Sequence, residues 1–324
     1  MSSSHLELDP DRFSGRAGTK FGWREETVAT GDEDPSTKGW ARRPEDPNVQ
    51  ARLEHLRANN GLKGLEIVSP HEIERATALF LRDGFVAVRD VLMPEQLEIM
   101  QQATAEVNAQ LVAANPGLLR YSYNSHSNLH KKAWVDLVDL PTTTPILESI
   151  FHSKNYWVWG AGGDFSLPGT FEYQRLHRDL GPGDFHDPSG KLQIWDLPPF
   201  SVTLNFPMVD FDNDVGPIRQ IPGTQSTRAS PPLVADEPEW MKLSTVLGLK
   251  AGGVIFRDLR AWHGGTPNLS DKIRAMPNVE YHAPWFMDTG RCKKTMPFER
   301  YCELSEHGKH VCRFIYHEKD VSKL

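Results

Sequence analysis

Cysteine is scarce in this chain, as are the other features that mark secreted, membrane or nucleic-acid-binding proteins. Three cysteines occur among 324 residues, and the even spacing of Cys292, Cys302 and Cys312 matches no zinc-binding pattern. An odd number of thiols cannot all pair within one chain, which favours a reducing compartment. The start of the chain also lacks the basic and apolar regions of a secretory signal. These absences predict a cytoplasmic protein.

Long apolar runs and an excess of basic charge are missing too. The longest apolar runs are far shorter than the roughly 18–20 residues that span a bilayer. Lysine and arginine number 36 against 43 aspartates and glutamates, which gives a net charge of −7 with neutral histidine. A nucleic-acid-binding surface normally carries clustered positive charge. We therefore expect neither a membrane nor a nucleic acid as partner, and the sequence leaves the oligomeric state open.

Two common catalytic loops are also absent from the sequence. The glycine-rich run at 160–163 has neither the spacing nor the following helix of a phosphate-binding loop. No Gly-x-Ser-x-Gly elbow of a serine hydrolase occurs. These absences disfavour nucleotide-dependent and serine-hydrolase chemistry.

The composition divides the chain into a polar arm and one domain. Residues 1–60 are polar and rich in glycine, proline, aspartate and arginine, so we expect an arm that is either mobile or laid over its own domain. Residues 61–324 are predicted to form a single domain, because the apolar fraction of 39% can supply a core at this length. Within it, we expect a helical part at about 69–115 and a β core at about 156–290.

Two amphipathic helices are predicted in the N-terminal part. Ser69, Pro70 and Glu72 have the order of a capping box, with proline at the first helical position. The helix is predicted to end near Gly84 and to bury one face, formed by Ile73, Ala76, Leu79 and Phe80. A second helix opens at Pro94 and carries an apolar stripe of Leu97, Met100, Thr104, Val107 and Leu111, which is typical of core packing.

Short apolar segments separated by glycine and proline predict a β-sandwich or barrel. The predicted strands cover residues 85–88, 201–206, 218–221, 254–256 and 278–286. Two long connections, at 181–199 and 224–242, are expected to be active-site lids, because unstructured loops of that length in a compact domain usually have a function.

A possible metal site follows from His177-Arg178-Asp179 and a distant His263. Two imidazoles and one carboxylate are the ligand set that holds non-haem Fe(II) on one face and leaves positions open for oxygen chemistry. A His-x-Asp triplet alone is weak evidence, since about one is expected by chance among 13 histidines. Here the triplet stands where a predicted strand meets a loop, and His263 also follows a strand. Such edges suit metal ligands because the scaffold is rigid and the cavity is open.

The chain resembles the phytanoyl-CoA dioxygenase family of Fe(II)- and 2-oxoglutarate-dependent oxygenases over roughly residues 70–290. The resemblance depends on four runs that occur in the family's order, at 83–86, 176–179, 216–224 and 249–274. It implies a mainly β fold with flanking helices around a double-stranded β-helix, which is a cupin-like jelly roll.

The resemblance also implies roles for individual residues. His177, Asp179 and His263 would be the three protein ligands of the iron. Arg274 matches the arginine that pairs with the distal carboxylate of 2-oxoglutarate, and Gln174 and Asn205 match positions that face the same cosubstrate. The chain departs from the family at residue 265, where many members have serine and this one has glycine.

The implied function is oxidation of a small organic metabolite by a 2-oxoglutarate-dependent dioxygenase. It would use Fe(II), 2-oxoglutarate and O2, and would release succinate and CO2. The resemblance also implies that the carboxylate ligand Asp179 favours hydroxylation or another oxidative outcome over halogenation, because related halogenases have a small residue in its place. Hydroxylation is the outcome that we expect. Desaturation, epimerisation or ring formation at the same iron remains open, as does a non-catalytic jelly-roll binding module. Arg274 disfavours the binding module, because such a module needs no residue that anchors a cosubstrate.

Overall fold

The structure, a computed structural model, describes residues 41–114, 117–123, 128–287 and 295–317. Its helices are α1 (Pro47–Asn59), α2 (Ile73–Asp83), α3 (Pro94–Ala114), α4 (Lys132–Val135), α5 (Thr144–Phe151), α6 (Glu239–Lys242), α7 (Phe298–Cys302) and α8 (Glu306–Val311). Its strands are β1 (Ile67–Val68), β2 (Phe85–Val88), β3 (Arg120–Ser122), β4 (Trp157–Ser166), β5 (Ser201–Asn205), β6 (Arg219–Gln220), β7 (Val254–Asp258), β8 (His263–Gly264) and β9 (Arg274–His282).

Two sheets form the β core. The larger has seven strands in the order β1-β2-β7-β5-β9-β4-β3, and all its pairs are antiparallel except β1 with β2. The smaller pairs β6 with β8, and isolated bridges add His177 beside His263 and Thr245 beside Arg219. The predicted fold, a jelly-roll core with flanking helices, is confirmed.

The side chains of β9 point alternately into the hydrophobic core and into a cavity between the two sheets. Successive side chains of a strand point to opposite faces. On one face lie buried apolar residues, Ala275, Val279 and Tyr281, which join the main core. On the other face lie residues that line the cavity, Arg274, Met276, Asn278, Glu280 and His282. This strand therefore carries polar side chains into the interior of the jelly roll.

The helices cover the outer face of the larger sheet. Helix α2 packs against β2 and α5, and its predicted apolar face is buried at Ala76, Leu79 and Phe80. Helix α3 buries Met100, Thr104 and Val107 as the stripe predicted, whereas Leu97 and Leu111 are partly buried.

Some predicted boundaries differ from the observed ones. Helix α2 begins at Ile73 and not at Pro70, because residues 70–72 make a turn that the capping contacts close. The Glu72 carboxylate accepts a 2.7 Å hydrogen bond from the Ser69 N–H, and the Glu72 N–H donates to the Ser69 carbonyl at 3.0 Å.

The bounds predicted for the last strand, 278–286, were also wrong, because β9 covers 274–282. Pro277 would normally mark a strand end. In the structure it lies opposite Gly163, whose φ is 122°, and the pairing continues on both sides of it. The predicted return strand at 218–221 is shorter, because only Arg219–Gln220 pairs as a strand.

The described part of the predicted arm lies on its own domain. Helix α1 buries Val49, Leu53 and Leu56 against Phe171 and Leu269. Residues 1–40 of the arm lie outside the described residues. Strand β1 precedes the part predicted as helical, β2 is the strand predicted at 85–88, and both join the main sheet. The division into an arm and one domain otherwise stays a prediction.

Within the described ranges, no helix combines the length and apolar character that crossing a bilayer requires.

Candidate metal centre

Backbone pairing brings the three predicted iron ligands together. His177 and His263 face each other across an antiparallel bridge, and each N–H donates to the other's carbonyl at 3.0 Å. Two residues further on, the Asp179 N–H donates to the carbonyl of Leu259 at 2.9 Å. Residues that are far apart in sequence are thus fixed by main-chain hydrogen bonds, so their side chains converge without depending on a mobile loop.

The ligand atoms form one compact group. One ligand atom each from His177, Asp179 and His263 lie within 4.8 Å of one another. The Nε2 atoms of both histidines are 3.7 Å from the same carboxylate oxygen, Asp179 Oδ1. No other such group of three or more His, Cys, Asp or Glu side chains occurs within the part of the chain that the structure describes.

The contacts of His177 favour the tautomer that binds a metal through Nε2. His177 Nδ1 lies 3.1 Å from the Arg175 carbonyl, which only accepts hydrogen bonds and so favours a proton on Nδ1. The lone pair of its Nε2 then faces Asp179 and can bind a metal. His263 Nδ1 lies 3.1 Å from both the Ala261 carbonyl, an acceptor, and Arg257 Nη1, a donor, so its contacts are compatible with either neutral tautomer.

The local charges keep these groups in their metal-binding protonation states. Burial alone would raise the pKa of Asp179, but the facing side chains, Arg257 first and then His263 and His177, outweigh it and hold that pKa below its ordinary value. Burial, followed by repulsion from Arg257 and His177, lowers the pKa of His263 well below its ordinary value. At neutral pH, Asp179 is ionised and His263 is neutral, which are the forms that bind metal. This donor set therefore fits Fe(II).

Arg257 is a functional candidate that the sequence analysis missed. It lies on β7, where its Nη2 contacts Asp179 Oδ2 at 2.8 Å and its Nη1 is 3.1 Å from His263 Nδ1. Its side chain is only 5% exposed. Because this ion pair uses Oδ2, Asp179 Oδ1 stays available to bind a metal. The ion pair also restrains the orientation of the carboxylate. The one available signal was an arginine inside an otherwise apolar strand sequence.

The three predicted cosubstrate residues line the same cavity as the ligands. This cavity encloses about 410 Å³ and includes Arg274, Gln174 and Asn205 in its wall. The guanidinium of Arg274 is buried and pairs with Asp164 through Nη1 and Oδ1 at 2.5 Å. Because this guanidinium already binds a carboxylate of the protein, it can also bind the carboxylate of a small acid.

Gln174 and Gly265 share a second set of contacts. The Gln174 side-chain oxygen accepts a hydrogen bond from the Gly265 N–H at 2.9 Å, so this side chain also fixes the strand that follows His263. A Cβ at position 265 would lie 2.4 Å from Arg120 Nη1. Arg120 donates to the Thr266 carbonyl at 2.6 Å. A serine at 265 would therefore have to displace the Arg120 guanidinium, which occupies that space.

The two loops predicted as lids are anchored by buried arginines. Arg260 donates to the carbonyls of Ile194 and Leu197 at 2.8 Å, which fixes the end of the first loop. Arg219 forms an ion pair with Glu237 of the second loop, and both side chains are 0% exposed. The largely exposed parts are therefore shorter than predicted, about residues 182–193 of the first loop and 228–236 of the second.

Arg178 links both loops to the ligand triplet. It lies between two predicted ligands in sequence, and its guanidinium stacks over the Trp195 ring at 4.2 Å. The same side chain donates to the Ala229 carbonyl at 2.5 Å. A movement of either loop would therefore displace Arg178 and so affect the neighbouring ligands His177 and Asp179.

Solved structures similar to this chain include SnoN, in two structures, and AviO1. The non-haem α-ketoglutarate-dependent epimerase SnoN from nogalamycin biosynthesis has 20% identity and a TM-score of 0.48, covering 66% of this chain and 83% of that one. AviO1 from Streptomyces viridochromogenes Tue57 has 20% identity and a TM-score of 0.46, covering 67% and 97%. SnoN in complex with Fe3+, α-ketoglutarate and nogalamycin RO has 19% identity and a TM-score of 0.46, covering 66% and 84%. At such low TM-scores the likeness carries no conclusion about this chain.

A family comparison is more informative. The family model of phytanoyl-CoA dioxygenase (PhyH) matches residues 80–276, which is more than half of the chain and includes all six predicted site residues. Members of this family depend on iron, 2-oxoglutarate and O2. The chain therefore belongs to the phytanoyl-CoA dioxygenase family and is an iron- and 2-oxoglutarate-dependent enzyme.

Proposed function

We propose that this enzyme hydroxylates a small organic molecule at an iron held by His177, Asp179 and His263, with succinate and CO2 as co-products. The observation that carries the proposal is the compact group of ligand atoms, all within 4.8 Å of one another, at the wall of a cavity of about 410 Å³. A cavity of this volume is in the range that accommodates small ligands.

Arg274 is proposed to hold the distal carboxylate of 2-oxoglutarate. Its guanidinium is 2% exposed, and an ion pair gains strength where water is largely excluded. Asp164 then has to leave this guanidinium when the cosubstrate binds, which it can do because its side chain is 47% exposed. Asn205 and Gln174 supply amide groups along the same wall.

Bound Fe(II) with 2-oxoglutarate and O2 supplies the oxidising power for breaking a substrate C–H bond. The protein residues position these partners. Arg257 restrains Asp179, and the carbonyls of residues 175 and 261 contact the imidazoles.

The direct test is a screen of candidate metabolites for stimulated succinate formation, combined with product masses. Hydroxylation predicts a gain of one oxygen atom. Loss of two hydrogens would instead indicate desaturation or ring formation, and an unchanged mass would indicate epimerisation. Failure of anaerobic Fe(II) and 2-oxoglutarate to produce a charge-transfer band would contradict the iron site itself.

A further inference from the structure

An acid–imidazole pair lies in the same cavity but takes no part in the metal centre. Glu280 and His282 lie two residues apart on the cavity face of β9. His282 Nε2 is 2.9 Å from Glu280 Oε1, and the Ser201 hydroxyl donates to the same oxygen at 3.3 Å. His282 is 3% exposed and Glu280 is 19% exposed. Within the described ranges Glu280 forms no ion pair with a lysine or arginine, which is unusual for a largely buried carboxylate.

Strand register places this pair close to the predicted iron. Thr203 of β5 lies opposite Arg257 on one side and opposite Glu280 on the other, and all three side chains line the cavity. Neighbouring strands are about 4.8 Å apart, so Glu280 lies about 10 Å across the sheet from the arginine that contacts Asp179. That separation leaves room for a small molecule between the metal centre and the pair.

Several polar atoms at this end of the cavity have no partner. Both contacts of Glu280 use Oε1, and its Oε2 accepts no hydrogen bond from the described residues. Within the same described ranges, the buried Nδ1 of His282 and the buried indole Nε1 of Trp159 also lack hydrogen-bond partners. The two buried nitrogen atoms are costly when they stay unpaired. A ligand that pairs them would recover this free energy.

Trp159 occupies an irregular position in its strand. The register of β4 against β9 shifts between Val158 and Gly160, which makes Trp159 the extra residue of a β-bulge. Bulges re-aim side chains and are frequent next to active sites. The Trp159 ring lines the cavity and stacks against His282 with centroids 6.0 Å apart, while the Phe286 ring meets His282 edge-on at 5.1 Å.

We propose that Glu280, His282 and Trp159 form the substrate subsite, and that the substrate is an alcohol-bearing ring. This inference rests on the proposed function, because it takes the cavity to be the active site. Trp159 Nε1 can only donate a hydrogen bond, and an ionised Glu280 can only accept one. A hydroxyl group does both. An ammonium group would leave the indole N–H unpaired, and a carboxylate would be repelled by Glu280. The aromatic walls fit the apolar face of a ring.

Three probes with the same six-membered saturated ring test this chemistry: myo-inositol, cyclohexylamine and cyclohexanecarboxylate. Their binding to the full chain loaded with Fe(II) and 2-oxoglutarate without O2 is measured by ligand-observed NMR. The variants are E280Q and W159F, and the matched controls are E106Q and W240F, whose wild-type side chains are exposed. The charge-transfer band is recorded for every variant, because it reports the metal centre independently of the subsite.

The expected result is that myo-inositol binds the wild-type protein more tightly than the other two probes. E280Q should weaken this binding about tenfold or more, since a hydrogen bond to a charged group is lost, and W159F should weaken it several-fold. Both controls should bind as the wild type does. Tighter binding of cyclohexylamine, no binding of myo-inositol, or an E280Q variant that behaves like E106Q would each overturn the subsite. A missing charge-transfer band in the wild type would instead refute the proposed function.

Discussion

Replacing Arg257 with methionine tests whether this residue positions the metal ligand Asp179. Arg257 Nη2 lies 2.8 Å from Asp179 Oδ2, and methionine keeps a long side chain in the same buried space without the charge or the hydrogen bonds. Asp179 then loses the restraint on its carboxylate. We expect the R257M variant to fold and to bind Fe(II) more weakly.

The expected size of the effect follows from the contact that is lost. A hydrogen bond to a charged group contributes about 1.5–3 kcal/mol, and about 1.4 kcal/mol corresponds to a factor of ten in affinity. The Fe(II) dissociation constant should therefore rise about 10–100-fold, which is the range seen when groups that orient metal ligands are removed.

The assay is an anaerobic metal titration of R257M beside R89M, which removes an exposed arginine. R89M should bind Fe(II) as the wild type does, and a thermal melt of both variants checks their folding. Unchanged affinity in R257M would refute the positioning role. Tighter binding would also refute it, because repulsion between the arginine and the metal would then be the larger effect.

Three further predictions concern the cosubstrate site, the second loop and the first loop. D164N should bind 2-oxoglutarate about two- to fivefold more tightly, because a partly exposed carboxylate no longer competes for Arg274; a titration of the charge-transfer band measures this, and weaker binding would contradict it. E237Q should lower the free energy of unfolding by about 3–5 kcal/mol in chemical denaturation, because it leaves the buried charge of Arg219 without its partner. Limited proteolysis should cut first within residues 182–193, and cutting should slow when Fe(II), 2-oxoglutarate and substrate are bound; equal rates would argue against a closing segment.

An exposed ion pair provides the control for E237Q. Arg75 and Glu66 contact each other at 2.5 Å, but their side chains are 49% and 41% exposed. Exposed pairs contribute about 0–1 kcal/mol, so E66Q should change the free energy of unfolding far less. A similar loss in both variants would mean that burial does not set the strength of the Arg219–Glu237 pair.

Much of the candidate site could be predicted from the sequence because its key residues occur in short runs. His177 and Asp179 are two residues apart, and His263 stands in a distinctive run of its own. The resemblance to the family added Arg274. The structure brings all four to one cavity, although their exact roles in binding stay predictions.

The partners of these residues could not be predicted, because they depend on strand register. Arg257 meets Asp179 only because the Asp179 N–H pairs with the carbonyl of Leu259, directly after β7, and Asp164 meets Arg274 only because β4 pairs with β9. Local sequence gives the side-chain period of a strand but not the residue opposite. The sequence gives no role to His282 for the same reason, since nothing nearby in sequence indicates that it lines a cavity.

The metal content of H177A and D179A, compared with H186A, tests the central claim most directly. His186 is exposed and does not line the cavity, so H186A controls for loss of any histidine. The wild type and H186A are expected to bind one Fe(II) per chain and to release succinate, whereas H177A and D179A should lose both properties while staying folded. Full iron content and unchanged succinate release in H177A and D179A would contradict the assignment of these residues as iron ligands.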